Sequence, residues 1–298
     1  MQPADLTNDR APQLQDRAFL FRADGDHLEP TDYVRGPWDH GLQHGGAVCG
    51  ALGWASHEAV KTTDDSDEFM LCRLTTEILR PVPAARLQYR SSVDHAGRRS
   101  RVASASLWHD GRRVAQSSSQ WVRVRADATT TRAEETIDEL GSGLAVPLRP
   151  IQPTDPGASD SGYPRPGFNC DVFEFRCQPG TTEQSGPGVA WVRLKVDLVA
   201  GQAPDPVHLL ATVSDLGNAV GWEPSLHGEP MVNPDVTLQL FRYPKDEWVC
   251  VDSQARSTVA GIGMMETKLW DGDGQFGRVL STTMESTMPL AAELLPPD

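Results

Sequence analysis

Two adjacent glycines, Gly45 and Gly46, open a run of small and apolar residues that reads as a helix over 45–60, with Gln43 and His44 just before them. Backbone N–H groups at a helix start have no partners inside the helix and lie at the positive end of its dipole, so a glycine pair there admits a carbonyl or anionic oxygen at close range. A tight turn needing glycine for backbone reasons has the same appearance. Gln43 and His44 could add a side-chain donor or polarise a water, although a histidine in this place also serves simply to cap or fill the turn. One carboxylate stands out in the second half: Asp215 falls within a helix-forming segment, 207–220, yet off its apolar stripe, which aims it away from its own sheet and towards the other half. An ordinary solvated helix carboxylate carries the same signature. Arg98, Arg99, Arg101, Arg112, Arg113, Arg123 and Arg125 gather in the N-terminal half, where guanidinium forks suit phosphate oxygens, though arginines on strands mostly solubilise a face.

These groups need a frame that brings 43–46 and 215 together, and the order of elements supplies one. Before residue 126 the chain reads as a strand at 18–22, the helix, then strands at 73–79, 86–93, 101–109 and 114–124. After residue 166 it reads as strands at 173–176 and 189–197, a helix at 207–220, then strands at 236–241, 248–253, 261–270 and 278–283. The stretch 126–166 is dense in Asp, Thr, Ser, Pro and Gly and reads as a connector, giving an N-terminal domain at 15–125 and a C-terminal domain at 167–290. The order repeats, and two anchors share one register: Arg80 and Arg242, and Trp108 and Trp270, are each 162 apart (242 − 80 and 270 − 108). Each tryptophan is followed by an Asp-Gly turn signal, at 110–111 and 271–274. Each half has a helix whose apolar stripe needs covering, a stripe formed by Val48, Ala51, Leu52, Ala55 and Ala59 in the first and by Leu209, Val213, Leu216, Gly217 and Val220 in the second. A curved antiparallel sheet wrapped round each helix buries it most economically, so the expected class is α+β, a double hotdog.

Composition narrows the function classes. A chain of 298 residues, 39% hydrophobic and 23% charged, can bury sizeable cores. A formal charge of −14 repels phosphate backbones and anionic membrane surfaces, which argues against nucleic acid and membrane partners. The first 20 residues have no basic-then-apolar run, no segment approaches a membrane span, and five scattered cysteines suit reduced thiols, so a cytoplasmic location is expected. Serine-hydrolase elbows and Walker loops are missing from the sequence. Trp54, Trp108, Trp121 and Trp270 read as core rather than as the lining of a ligand tunnel.

The stretch Arg35-Gly-Pro-Trp-Asp-His-Gly-Leu-Gln-His-Gly-Gly-Ala47 and its small-residue helix resemble the first helix of acyl-CoA thioesterases of the double-hotdog, medium- and long-chain type. Val232-Asn-Pro-Asp235, Leu240-Phe-Arg-Tyr-Pro244, Glu247-Trp248, Gly261-Ile-Gly263 and Gly277-Arg-Val279 are similar to the closing hotdog of the same family. The resemblance implies hydrolysis of a fatty or related acyl-CoA by activated water, with no metal or organic cofactor. Asp215 then matches the helix aspartate that orients the water, and Asn233 falls where relatives carry a threonine that helps hold it. Gly45 and Gly46, with His44 and Gln43 beside them, would face the thioester carbonyl. The family's glutamine on the last strand aligns with Met284, a departure; a register change of one or two residues would put Thr283 or Thr282 there. A non-catalytic acyl-CoA or lipid binder is the alternative, and an enoyl-CoA hydratase is disfavoured because no histidine follows Asp215 in its segment. Two hotdogs in one chain already form a dimer-like unit, from which a homodimer or larger homo-oligomer is expected.

Overall fold

The computed structural model describes residues 17–37, 39, 41–125, 149–150, 167–177, 185–223, 231–257 and 259–286, with backbone only for Arg149, Pro150, Cys170 and Cys177. The first half comprises strands β1 (Phe19–Asp24) and β2 (His27–Pro30), helix α1 (Gly45–Lys61), and strands β3 (Phe69–Ile78), β4 (Leu87–Ala96), β5 (Ser100–His109) and β6 (Arg112–Arg123). The second comprises β7 (Arg149–Pro150), β8 (Phe173–Cys177), β9 (Gly188–Leu194), β10 (Asp197–Val199), helices α2 (Pro206–Val213) and α3 (Gly217–Val220), then β11 (Met231–Val232), β12 (Asp235–Leu240), β13 (Val249–Ser257), β14 (Ile262–Asp271) and β15 (Gly274–Glu285). The stretch 126–166 otherwise lies outside the described residues.

All strands join one sheet in the order β10-β1-β2-β4-β5-β6-β3-β12-β15-β14-β13-β9-β8-β7, with β11 beside β15. Each half is a helix covered by antiparallel strands, the double hotdog, and the halves meet edge to edge at β3 and β12. That seam closes what would otherwise be two exposed edges. Alternation sets the faces: in β5 the buried residues are Arg101, Ala103, Ala105 and Leu107, and in β15 Val279, Ser281 and Thr283 point inward while Leu280, Thr282 and Met284 point out.

The repeat spacing has a direct spatial meaning. Thr75 and Thr237, 162 residues apart, are register partners across the seam, their hydroxyls 3.3 Å apart. On the inner layer a Cβ on Gly50 would lie 2.7 Å from Thr212 Oγ1, and 212 − 50 is again 162. A pseudo-twofold axis therefore runs through Thr75/Thr237 and Gly50/Thr212. The helices α1 and α2 pack antiparallel about it, and glycines make that approach possible: a Cβ at Gly53 would sit 2.5 Å from Ala211 Cβ.

Three local expectations are corrected. The segment 207–220 is not one helix: Ser214 donates its hydroxyl to Ala211 O and its N–H to Leu210 O, and α2 stops before Asp215. The segment 189–197 ends earlier, at Leu194, and Asp197–Val199 leaves to pair in parallel with β1. The arginine cluster is not one free basic face. Arg101 is buried over the Phe69 ring and bonds Thr63 and Asp64, Arg123 bonds Glu68, and Arg113 lies over Trp108. Trp54, Trp121 and Trp270 are core, and Trp108 is half-buried beneath Arg90. Cys49, Cys72 and Cys250 are free thiols. No helix among the described residues is long and apolar enough to cross a membrane.

Candidate active site

The start of α1 is built by its own sequence. His44 is the N-cap, extended at φ −65° and ψ 142°, and its Nδ1 accepts from Gly46 N–H at 2.9 Å. A ring nitrogen that accepts this bond carries no proton, so the neutral imidazole is protonated on Nε2. The ring stacks on Phe168, 4.2 Å between centroids, and burial drives its pKa down to about 3. Among the described residues the Gly46 N–H is thus engaged, whereas the Gly45 N–H has no hydrogen-bond partner.

Asp215 reaches this helix start from the other half. With α2 ended and α3 not yet begun, its side chain turns across to α1 and lies 8% exposed, against Gly45. The fit is tight: a Cβ at Gly45 would collide with Asp215 Oδ2 and lie 2.9 Å from its Cγ. Asp215 Oδ1 accepts from Asn233 Nδ2 at 2.6 Å, and Asn233 Oδ1 accepts from Asn218 Nδ2 at 3.0 Å, which fixes the amide with its N–H towards the carboxylate. Burial pushes the Asp215 carboxyl up to about 6, against the opposing pull of the Asn233 and Gly46 donors. His44 Nδ1 stands 3.4 Å from Asp215 Oδ2, but this is no ion pair, since burial keeps the His44 imidazole neutral. At neutral pH the arrangement is an ionised carboxylate in an apolar corner, anchored on one oxygen, beside an open helix N–H. Such a group can take a proton from water near pH 7.

The structure gathers His44, Gly45, Gly46, Asp215 and Asn233. It does not bring in the others. Gln43 turns away, its Nε2 donating to Pro83 O at 3.0 Å and its N–H to Val82 O at 2.8 Å, so it ties the helix start to the loop after β3. Thr283 is buried on β15 with its hydroxyl against Gly263, and among the described residues no hydrogen bond joins it to Asp215 or Asn233. Thr282 and Met284 lie on the outward face of the strand, Met284 45% exposed. Asn218 is the member that sequence reasoning missed; its one signal is a place three residues after Asp215, on the same side of a helical turn.

Two family models match successive parts of the chain. Residues 34–132 match the family described as acyl-CoA thioesterase N-terminal domain, and residues 147–279 the one described as acyl-CoA thioesterase C-terminal domain. Among solved structures, a hotdog-fold protein of unknown function from Alicyclobacillus acidocaldarius is similar with a TM-score of 0.64 at 13% identity, over 93% of this chain and 99% of its own. A protein from Novosphingobium aromaticivorans, provisionally described as a thioesterase, gives 0.61 at 19% identity over 90% and 98%. Acyl-CoA thioesterase II TesB2 from Mycobacterium marinum gives 0.57 at 15% identity over 95% and 98%. At these identities the likeness carries the fold alone. No curated protein matches the chain.

Proposed function

The chain belongs to the acyl-CoA thioesterase family, and we propose that it hydrolyses a fatty or related acyl-CoA to the free acid and CoA, with Asp215 activating the attacking water. The observation that carries this reading is the buried Asp215 carboxylate of one half, braced by Asn233, against the glycine start of α1 in the other. A water bonded to Asp215 gives up a proton to the carboxylate as its oxygen attacks the thioester carbon. The negative charge that develops on the carbonyl oxygen meets the first-turn N–H groups, the open one of Gly45 first. The C–S bond then breaks, and the CoA sulfur leaves with the proton returned by Asp215. Asn233 and Asn218 keep the carboxylate aimed, and His44 keeps the helix start rigid. Free Cys49, Cys72 and Cys250 suit a reducing cytoplasm.

Thiol release from a panel of short-, medium- and long-chain acyl-CoAs, with Asp215→Ala as control, tests the assignment. Turnover lost in the variant is the expected result; turnover retained in it removes Asp215 from the site. Met284, the residue that the resemblance aligns with the family's glutamine, lies on the outward face of β15, and this favours one second reading, an acyl-CoA binder without hydrolysis. Measurable acyl-CoA binding with no thiol release at any chain length would select that reading.

A further inference from the structure

At the opposite end of the α1–α2 pair, His57 from the first half meets Asp205 and His208 from the second. One ligand-bearing atom from each lies within 4.8 Å of the others, and His57 Nδ1 is 3.7 Å from Asp205 Oδ1. Two of the ring nitrogens, His57 Nδ1 and His208 Nε2, are buried without any hydrogen-bond partner, and His208 as a whole is only 4% exposed. Buried polar atoms left unpaired are rare because each forfeits its hydration.

We propose that His57, Asp205 and His208 bind a divalent transition-metal cation, with Zn²⁺ the best chemical match. Two imidazoles and a carboxylate form a common nitrogen–oxygen ligand set for this ion, and bonds of about 2.0–2.1 Å in a tetrahedron hold ligand atoms about 3.3 Å apart, a modest contraction from the present spacing. A bound cation satisfies both unpaired nitrogens at once.

The surroundings suit this role. Asp205 caps α2 by accepting from Val207 N–H at 2.8 Å, which fixes its carboxylate as a second-layer bond fixes a ligand. His57 stacks on Trp121 at 5.1 Å between centroids, which holds its ring plane. Burial lowers the pKa of both histidines, so each imidazole is in the neutral form that a metal requires. The side chains of His57 and Asp205 remain 15% and 27% exposed, enough for an ion to enter and for water to complete the coordination. Lys61, one turn further along α1, is paired with Glu58 at 2.8 Å.

The pseudo-twofold axis explains why this corner is free for such use. It relates the start of α1 to the start of α2, so the cluster occupies the corner equivalent to the one that holds Asp215. There Gly53 stands in the place of the aspartate (215 − 53 is 162), and it packs on Ala211. His57 lies thirteen positions beyond the N-cap His44, about 20 Å at 1.5 Å per residue, so the two sites are distinct.

The test uses the full chain, stripped with a chelator and titrated with Zn²⁺ alone by calorimetry and with Co²⁺ by visible absorption. The expected result is one equivalent per chain, a tetrahedral Co²⁺ band, and a thermal midpoint that rises with Zn²⁺. Asp205→Asn keeps an acceptor for the helix cap while removing the anionic ligand, and His57→Ala removes a ring from the less buried side. Each should weaken binding by more than about 100-fold, beyond what loss of a second-layer partner does. Absence of saturable binding, or equal binding by wild type and both variants, overturns the proposal. Thioester hydrolysis by the stripped protein is expected to persist, which keeps the fate of this site separate from that of Asp215.

Discussion

Replacing Asp215 by asparagine should abolish hydrolysis and at the same time make the protein more stable at alkaline pH. The folded carboxyl titrates at about 6 against 3.8 for the ordinary group, because burial disfavours its charge. A pKa raised in the folded state contributes stability that is fully present below about pH 3.8 and is lost as pH rises through about 6. The shift of about 2 units corresponds to about 3 kcal/mol at 1.36 kcal/mol each, an upper figure for the burden of the ionised carboxylate at pH 8. Asparagine removes that charge and keeps an oxygen for Asn233 Nδ2. It also places an N–H where Asp215 Oδ2 now faces the acceptor His44 Nδ1 at 3.4 Å. For a chain of this size the gain amounts to a rise in thermal midpoint of about 5 °C. Urea unfolding of wild type and Asp215→Asn from pH 4 to pH 8 measures it. A gap that opens with pH supports the reasoning; an asparagine variant equal to or weaker than wild type at pH 8 refutes it.

Gly45→Ala sets a methyl against the Asp215 carboxylate and should cost about 1–3 kcal/mol while lowering kcat at least 10-fold, checked by unfolding and by thiol release. Asn233→Ala frees Asp215 Oδ1 and removes a donor that lowers its pKa. The acid limb of kcat/KM should therefore move above pH 6, with kcat down about 10- to 100-fold; an unmoved limb would show that the amide does not touch the reacting carboxylate. In the Asp215→Asn background, stability should fall between pH 6.5 and 5 by about 2 kcal/mol for His44 alone, since its folded pKa of about 3 lies below the unfolded 6.5 and protonation favours the unfolded chain. His57 and His208 act in the same direction, and a flat profile over that range would contradict their neutral burial.

The fold was legible because its cues are local or periodic. Gly45-Gly46 marks the start of α1, and the spacing of Arg80 and Trp108 to Arg242 and Trp270 reports a duplication that Thr75 and Thr237 realise across the seam. The break after Val213 was not legible, because the apolar stripe runs on through Leu216 and Val220 whether or not the helix does. The site divides in the same way. Asp215, Gly45, His44 and Asn233 converge, while Gln43 turns to Pro83 and Thr283 to Gly263, destinations fixed by tertiary packing that adjacency in sequence does not encode. The cluster of His57, Asp205 and His208 escaped entirely: its first ligand is 148 residues from the next, so no motif of local spacing could announce it.

The covalent fusion of the halves has an evolutionary consequence. In a symmetric dimer every substitution appears twice, once at each corner, so a residue needed at one is imposed on the other. Here Asp215 and Gly53 hold related positions and differ, as do His44 and Pro206. Once duplicated within one gene, each copy mutates alone, so one corner can specialise in chemistry while its twin drifts to tight helix packing and new ligands. Selection on activity and selection on stability then fall on different codons of the same chain.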